Sequence, residues 1–361
     1  MIDECISRAE LAGKVQTVLG IVSPETLGVS LAHEHLLIDL TSSYAAKGEP
    51  NEAAEINFYR QPVSVENRGL IAYHITSNRD NLVLNDEKMI IREALRFKYA
   101  GGDTIVDHTT RHMGRDPLGM ARISRATGLN VVMGSGYYLE TAQPVDMGSK
   151  TEDDICEEIV REITVGVGNT GVRAGVIGEI GCSCPITDSE RKSLRAATKA
   201  QQVTGAPMSV HPGRNADVDA ASCLEIIDVI GEAGADVSHT VILHIDRTIV
   251  EPEERLKLAA TGCYLGYDLF GWEGYHIHPA VPLPTDHQRI SEIMHLGEHG
   301  YLSRILVSQD IAWKHRLRCY GGHGYEHMLC NVVPLMRAKG MTEGQINTLL
   351  VENPKNFLAF A

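Results

Sequence analysis

The run Ala174-Gly-Val-Ile-Gly-Glu179, followed by Thr187-Asp-Ser-Glu190, Gly205 and then Pro207-Met-Ser-Val-His211, decides the fold. It opens with a short apolar, β-branched segment that reads as a buried strand. A polar loop follows and ends in a capping box, where the Thr187 hydroxyl and the Glu190 carboxylate satisfy amide donors that a helix start leaves open. Gly205 supplies a helix stop, and a second short strand begins. A strand, a capped helix and another strand in this order make a βαβ unit with parallel strands.

The unit repeats along the chain. Further strands are expected at Ser30–His35, Asp103–Thr109, Asn130–Gly134, Thr240–His244, Cys263–Tyr267 and Ile305–Asp310, several of them preceded by glycine stops such as Gly128, Gly234, Gly262 and Gly300. Thr285-Asp-His-Gln288 is another capping box, and Pro252 suits a first helical turn. In the helix after Asn85, the residues Ile91, Ala94, Leu95 and Tyr99 are expected to form the core-facing stripe. Eight such units admit a doubly wound sheet or a closed barrel. No G-x-G-x-x-G follows an early strand, which weakens the dinucleotide-binding sheet. The expectation is an α/β protein, one (β/α)8 TIM barrel domain over residues 1–361. It carries a long insertion (Thr41–Asn85) after strand 1 and closing helices at Gly324–Gly340 and Thr342–Phe360.

Composition excludes several classes of function. The 361 residues are 43% hydrophobic and 22% charged, ordinary globular proportions that argue against disorder. A formal net charge of −14 repels phosphate backbones and anionic lipid, so neither nucleic acid nor membrane is expected as a partner. No apolar run reaches the ~18 residues of a membrane span. The start Met1-Ile-Asp-Glu-Cys5 lacks the basic and apolar regions of a signal peptide, so a cytoplasmic protein is expected. The eight cysteines are scattered and are expected reduced and mostly buried, with Cys182 and Cys184 packing beside Glu179.

His33-Glu-His35 puts two imidazoles on one face of a strand, as a metal requires. The motif alone is weak, because a chain with 16 His holds a second such pair, His276-Ile-His278. Register gives it weight. Barrel enzymes carry their active groups at the C-terminal ends of the strands. There this chain has His33 and His35 on strand 1, Glu179 on strand 4, His211 on strand 5, His244 on strand 6 and Asp310 on strand 8. Buried carboxylates are costly unless cations neutralise them. Four imidazoles and two carboxylates are too many for one tetrahedral zinc and suit two metals about 3.5–4 Å apart.

Leu31-Ala-His-Glu-His-Leu36, Gly175-Val-Ile-Gly-Glu-Ile-Gly181, His211-Pro-Gly-Arg214, His244-Ile-Asp-Arg-Thr248 and Gly321-Gly-His-Gly-Tyr325 resemble the phosphotriesterase family of the amidohydrolase superfamily. The likeness runs from Gly13 to Leu358 and is greatest to the phosphotriesterase-related branch. It implies that His33, His35 and Asp310 hold a more buried metal and that His211 and His244 hold a more exposed one. Glu179 falls where the best-known members carry a carbamylated lysine bridging both ions. Zinc is the expected metal, with manganese, cobalt and iron as alternatives and no organic cofactor.

The resemblance further implies a binuclear hydrolase in which a metal-bridging hydroxide attacks an ester, lactone or amide carbonyl of a small molecule, with phosphotriester cleavage as a side activity. Asp310 would accept the proton, His244 would help relay it, and Tyr138 would contact substrate near the metals. Arg214, Trp272, Trp313 and His323 are further candidates for substrate contact, Lys314 is a second source of positive charge, and Tyr275 is a wall candidate. Arg115 and Asp116 are expected to be structural, while His108 and His112 receive no role. A homodimer is also implied. Branch members tend to carry Glu and His where this chain has Gly266 and Gln309, losses expected to reshape the polar part of the pocket away from small N-acyl amino-sulfonates. Two rival readings are a mononuclear deaminase of the same superfamily and a non-catalytic, metal-dependent small-molecule binding protein.

Overall fold

Eight apolar runs pair side by side in the computed structural model, which describes residues 5–44, 50, 52–275 and 282–361. They are β1 (Ser30–Glu34), β2 (Thr104–Asp107), β3 (Asn130–Ser135), β4 (Val176–Cys182), β5 (Met208–Pro212), β6 (Thr240–Ile242), β7 (Tyr264–Tyr267) and β8 (Ile305–Val307). All are parallel, and their order in the sheet is their order in the chain. Side chains join the seam between β1 and β8. Glu34 accepts from Ser308 Oγ and from the Gln309 and Ile311 amides at 2.7, 2.9 and 2.9 Å, and the Asp310 amide donates to His33 O at 3.1 Å.

The strands read as near-continuous apolar runs because both faces are covered. Ala32, Val106, Val132, Val176 and Val241 point into the barrel, where they meet Tyr264 and Phe357 in one apolar cluster. The intervening residues Leu31, Ile105, Val131, Ile177, Val210 and Ile242 belong to the larger layer between sheet and helices. The capping boxes at Thr187, Thr285 and Thr342 all form, and Pro252 occupies the first turn of its helix.

The stripe expected in the helix Glu87–Tyr99 is corrected. Its buried face is Met89, Ile90, Glu93, Ala94 and Phe97, and Tyr99 is 81% exposed in the last turn, beyond the packed layer. The C-terminal segments are broken helices, each with a π turn, at Met328–Ala338 and Glu343–Leu358. The insertion holds the short helices Thr41–Tyr44, Ala53–Arg60 and Arg68–Tyr73, flanked by a small ladder of Ile38–Asp39 with Val83–Leu84. An antiparallel hairpin, Val15–Thr17 with Gly20–Val22, precedes β1 in addition to the expected strands. No helix among the described residues is long and apolar enough to cross a membrane. All eight cysteines are free, but only four of them are buried.

Candidate metal centre and active-site cavity

The six predicted ligands meet at the C-terminal mouth of the barrel. β1 carries His33 near its end, and His35 follows one residue past the strand, two positions on and therefore on the same face. At β4, Gly178 has φ 118°, and a Cβ there would lie 2.2 Å from Ser209 O, so only glycine lets the chain present Glu179 so close to β5. β6 and β8 stop short of the expected positions. His244 (φ 56°) and Asp310 (φ 50°) both lie in the left-handed region, which ends the ladder and turns each side chain into the mouth. Such strain in non-glycine residues typically gathers at functional sites.

Glu179 divides the donors into two groups. Its Oε1 lies 3.8 and 3.7 Å from the Nε2 atoms of His33 and His35. Its Oε2 lies 2.9 Å from His211 Nδ1 and 3.5 Å from His244 Nε2. Asp310 Oδ1 joins the first group, 3.2 Å from His35 Nε2 and 3.6 Å from His33 Nε2. His211 Nδ1 and His244 Nε2 are 3.0 Å apart. Two donors bound at ~2.0–2.1 Å to one tetrahedral ion sit about 3.3 Å apart, so these groups are close enough to hold metal ions. The donors fit divalent metals in a second respect, because His33 Nε2 is buried with no hydrogen-bond partner. Imidazole and carboxylate suit zinc, iron or manganese.

In the metal-free chain the charges compensate one another. Burial depresses His33, but Asp310, the hydrogen bond to Asp268 and Glu179 outweigh it and lift the imidazole to about 9. Burial likewise opposes, and Asp268 overcomes, a rise of His244 to about 10. Glu179 is pulled well below the usual carboxylate range, against its burial, by His211, His244 and His33. Asp310 is lowered, against its burial, by His33 and His35.

Above the donors opens a cavity of about 420 Å³, lined at its polar end by His35, Glu179, His211, His244 and Asp310. A match to the phosphotriesterase family model covers residues 13–358. The chain belongs to the phosphotriesterase family. It is 42% identical to N-acetyltaurine hydrolase of Bos taurus over 355 residues, covering 98% of this chain and 99% of that one. A solved resiniferatoxin-binding protein from Rhodobacter sphaeroides superposes with a TM-score of 0.91 at 35% identity, over 98% of both chains. The Listeria monocytogenes lactonase Lmo2620 superposes with a TM-score of 0.76 at 25% identity, over 96% of this chain and 99% of that one. This is a phosphotriesterase-family hydrolase on a TIM barrel.

The other predicted residues divide between the cavity and its supports. Tyr138, Arg214, Trp272 and Trp313 line the cavity of this family member. Tyr138 Oη is 3.3 Å from His211 Nδ1, and the two tryptophan rings meet edge-on at 6.4 Å. His323 is not among the lining residues and stacks on His327 at 4.4 Å. Beside it, a Cβ on Gly322 would lie 2.1 Å from Arg316 O. Lys314 pairs with Asp80 at 2.6 Å. Arg115 grips Glu162 at 2.7 Å, while Asp116 caps its helix. His108 is a buried core residue whose Nε2–H donates to Ala32 O, and burial lowers it to about 3. His112 stacks on Tyr137. His276, His278 and the side chain of Tyr275 lie outside the described residues.

Two expectations are corrected. Gly266 and Gln309 do not line the cavity: Gly266 lies beneath Asp268 inside the barrel, and the Gln309 amide donates to Tyr325 O at 2.9 Å. Cys184 is no packing residue, being exposed and part of the cavity lining, whereas Cys182 is buried.

Sequence reasoning missed Asp268. Its carboxylate accepts from His33 Nδ1 at 3.0 Å, from His244 Nδ1 at 2.8 Å and from the His244 amide at 3.0 Å. One buried carboxylate thus orients an imidazole from each of the two groups around Glu179. The available signal was its place one residue past β7, where the other strands carry their active groups. Tyr44 and Arg247, which also line the cavity, were missed as well.

Proposed function

We propose that the chain hydrolyses a carboxylic amide, or an ester or lactone of similar size, at a two-metal centre. His33, His35 and Asp310 would hold one ion, His211 and His244 the other, and Glu179 both, with zinc suited to this imidazole-rich set. The observation carrying the reading is that the two Glu179 oxygens face two different imidazole pairs. Two divalent cations would supply Lewis acidity and bring the pKa of a water toward neutrality.

The residues of the chain supply the rest. Asp310 is the more accessible carboxylate, its side chain 13% exposed against 4% for Glu179. His35 and His33 hold its Oδ1, which leaves the other oxygen to take the proton of the attacking water and return it to the leaving nitrogen or oxygen. Burial raises the Tyr138 phenol well above its ordinary range, so it stays protonated as a donor to a substrate oxygen. Leu40, Leu269, Trp272 and Trp313 keep the far side of the cavity apolar. The amide stands first because the Bos taurus relative, named for hydrolysing N-acetyltaurine, shares more sequence with this chain than the lactonase does. A homodimer acting on a small molecule is part of the proposal, and light scattering checks the dimer.

The test is a kinetic panel of a small N-acyl amide, a lactone and a phosphotriester, run on wild type and Asp310→Asn. Amide turnover that falls by about 10²–10⁴-fold in the variant is the expected result. The resemblance to a toxin-binding protein at a TM-score of 0.91 favours a second reading, ligand capture without turnover. Binding without hydrolysis of any panel member by the metal-loaded protein would establish that reading instead.

A further inference from the structure

Five helices among the described residues open with a capping box, and in four of them the residue three past the cap (Glu10, Asp154, Gln288 or Gln345) is exposed. Glu190, in the box that begins the helix Asp188–Thr204, is 0% exposed. Capping asks one bond of it, and that bond, from the Thr187 amide at 3.2 Å, is the longest it accepts. Three shorter ones come from loops. Its Oε2 takes the Ser183 amide at 2.8 Å, and its Oε1 takes the Ser183 hydroxyl at 2.8 Å and the Glu140 amide at 3.0 Å. Burying a carboxylate is costly, and capping alone is done from the surface in the other four boxes.

The two loops held this way carry one wall of the active-site cavity. Tyr138 and Leu139, on the loop after β3, and Ser183 and Cys184, on the loop after β4, all line it. Glu140 follows Leu139 and opens the one-turn helix Glu140–Ala142, so its amide is a donor that no carbonyl of that turn can satisfy. Glu190 therefore caps two helices at once, its own and the turn that follows Tyr138. The loops also touch through their backbones. The Gly181 amide donates to Tyr137 O at 3.1 Å, and a Cβ on Gly181 would lie 2.2 Å from Leu139 N.

Resting on the hydrolase reading of that cavity, we infer that Glu190 is a positioning residue, which ties the loop after β3 to the loop after β4 and so holds Tyr138 against His211 and the substrate. Tyr138 Oη stands 3.3 Å from His211 Nδ1. Glutamine at 190 separates this role from capping, because an amide accepts only at its oxygen. With that oxygen in the place of Oε2, the Ser183 and Thr187 amides keep their acceptor and the NH₂ can donate to the Ser183 hydroxyl. The Glu140 amide is then left facing another donor. The reverse placement would forfeit two amides instead of one. Glu190→Gln thus keeps the cap and frees the loop of Tyr138.

The first arm of the test needs neither turnover nor a variant. Hydrogen exchange read by mass spectrometry should show the Glu140 amide of the wild type, on an exposed residue, as protected as that of Ser183. In Glu190→Gln the Glu140 amide is expected to exchange at least about tenfold faster, while Ser183 and Thr187 keep their protection. Kinetics follow on metal-loaded protein, with N-acetyltaurine and δ-valerolactone as probes. Glu190→Gln should raise KM about tenfold and leave kcat within about threefold, the pattern of lost uniform binding, at unchanged metal content. Thr187→Ala, which removes the hydroxyl that takes the Glu190 amide at 3.3 Å, should lower the melting temperature and leave KM alone. In a Tyr138→Phe background Glu190→Gln should change KM by less than about twofold, since both act on one interaction. An unprotected Glu140 amide in wild type, an unaltered rate or KM in Glu190→Gln, equal KM rises in Glu190→Gln and Thr187→Ala, or full additivity with Tyr138→Phe would overturn the inference. Faster Glu140 exchange in Glu190→Gln, in a protein that cleaves neither probe, would uphold the clamp while removing the hydrolase reading.

Discussion

Replacing Asp268 with asparagine keeps the shape of the side chain and removes one acceptor. The native carboxylate serves His33 Nδ1 at 3.0 Å and His244 Nδ1 at 2.8 Å, one from each oxygen, and the His244 amide besides. An amide accepts only at its oxygen. One imidazole would therefore face an NH₂ group, and its Nδ1 would have to offer a lone pair there. The ring proton would then move to Nε2, the nitrogen that faces Glu179 and the cation. In that tautomer the histidine is no longer a ligand. Loss of one such supporting partner typically weakens metal binding 10–100-fold, about 1.4–2.8 kcal/mol. Because the proposed centre assigns His33 and His244 to different ions, whichever ring turns, one ion would lose a ligand. Zinc affinity is measured by competition with a chromophoric chelator at fixed pH, on protein whose circular dichroism matches wild type. Asp268→Asn is expected to lose one zinc at a chelator concentration 10–100-fold lower than wild type requires, and to lose activity with it. A folded Asp268→Asn that keeps both zincs at wild-type affinity would show that Asp268 does not set the tautomer of either imidazole.

Three further outcomes are expected. In chelator-stripped protein His33 and His244 are raised to about 9 and about 10 from 6.5, so the stability they contribute is complete below pH 6.5 and lost as pH rises through those values. The melting temperature of the stripped chain should fall between pH 6.5 and 10, and a level profile would contradict the charge assignment. Gly178→Ala puts a methyl group 2.2 Å from Ser209 O at φ 118°, and should destabilise by at least about 2 kcal/mol, seen as a lowered melting temperature. Arg115→Ala leaves Glu162 buried without its partner, and should cost about 3–5 kcal/mol with little direct effect on substrate binding, so a thermal scan and KM are measured together.

The barrel and the six donors were legible because strand period and strand end are local signals. A run such as Thr240-Val-Ile-Leu-His244 announces both its burial and the polar residue at its tip. What escaped was set by tertiary geometry. Asp268 follows a strand whose hydrogen-bonded ladder ends at Tyr267, so a reading that stops with the apolar run leaves its carboxylate out. Arg247 sits in the motif His244-Ile-Asp-Arg-Thr248, but only the turn begun by the left-handed backbone of His244 brings it against His211. The helix Glu87–Tyr99 shows the limit of periodicity. Two overlapping stripes share Ala94, and packing chose the one that ends at Phe97. Gly266 and Gln309 mislead in the opposite direction, since positions beside catalytic motifs in sequence lie away from the cavity in space, Gly266 beneath Asp268 and the Gln309 amide against Tyr325 O.

In the proposed hydrolase, Glu179 joins two donor sets into one centre. Metal content per chain after gentle purification, for wild type beside Glu179→Ala, tests it most directly. Two equivalents are expected in wild type and one or fewer in the variant. One equivalent in wild type, unchanged by the substitution, would contradict the bridge and favour the mononuclear deaminase.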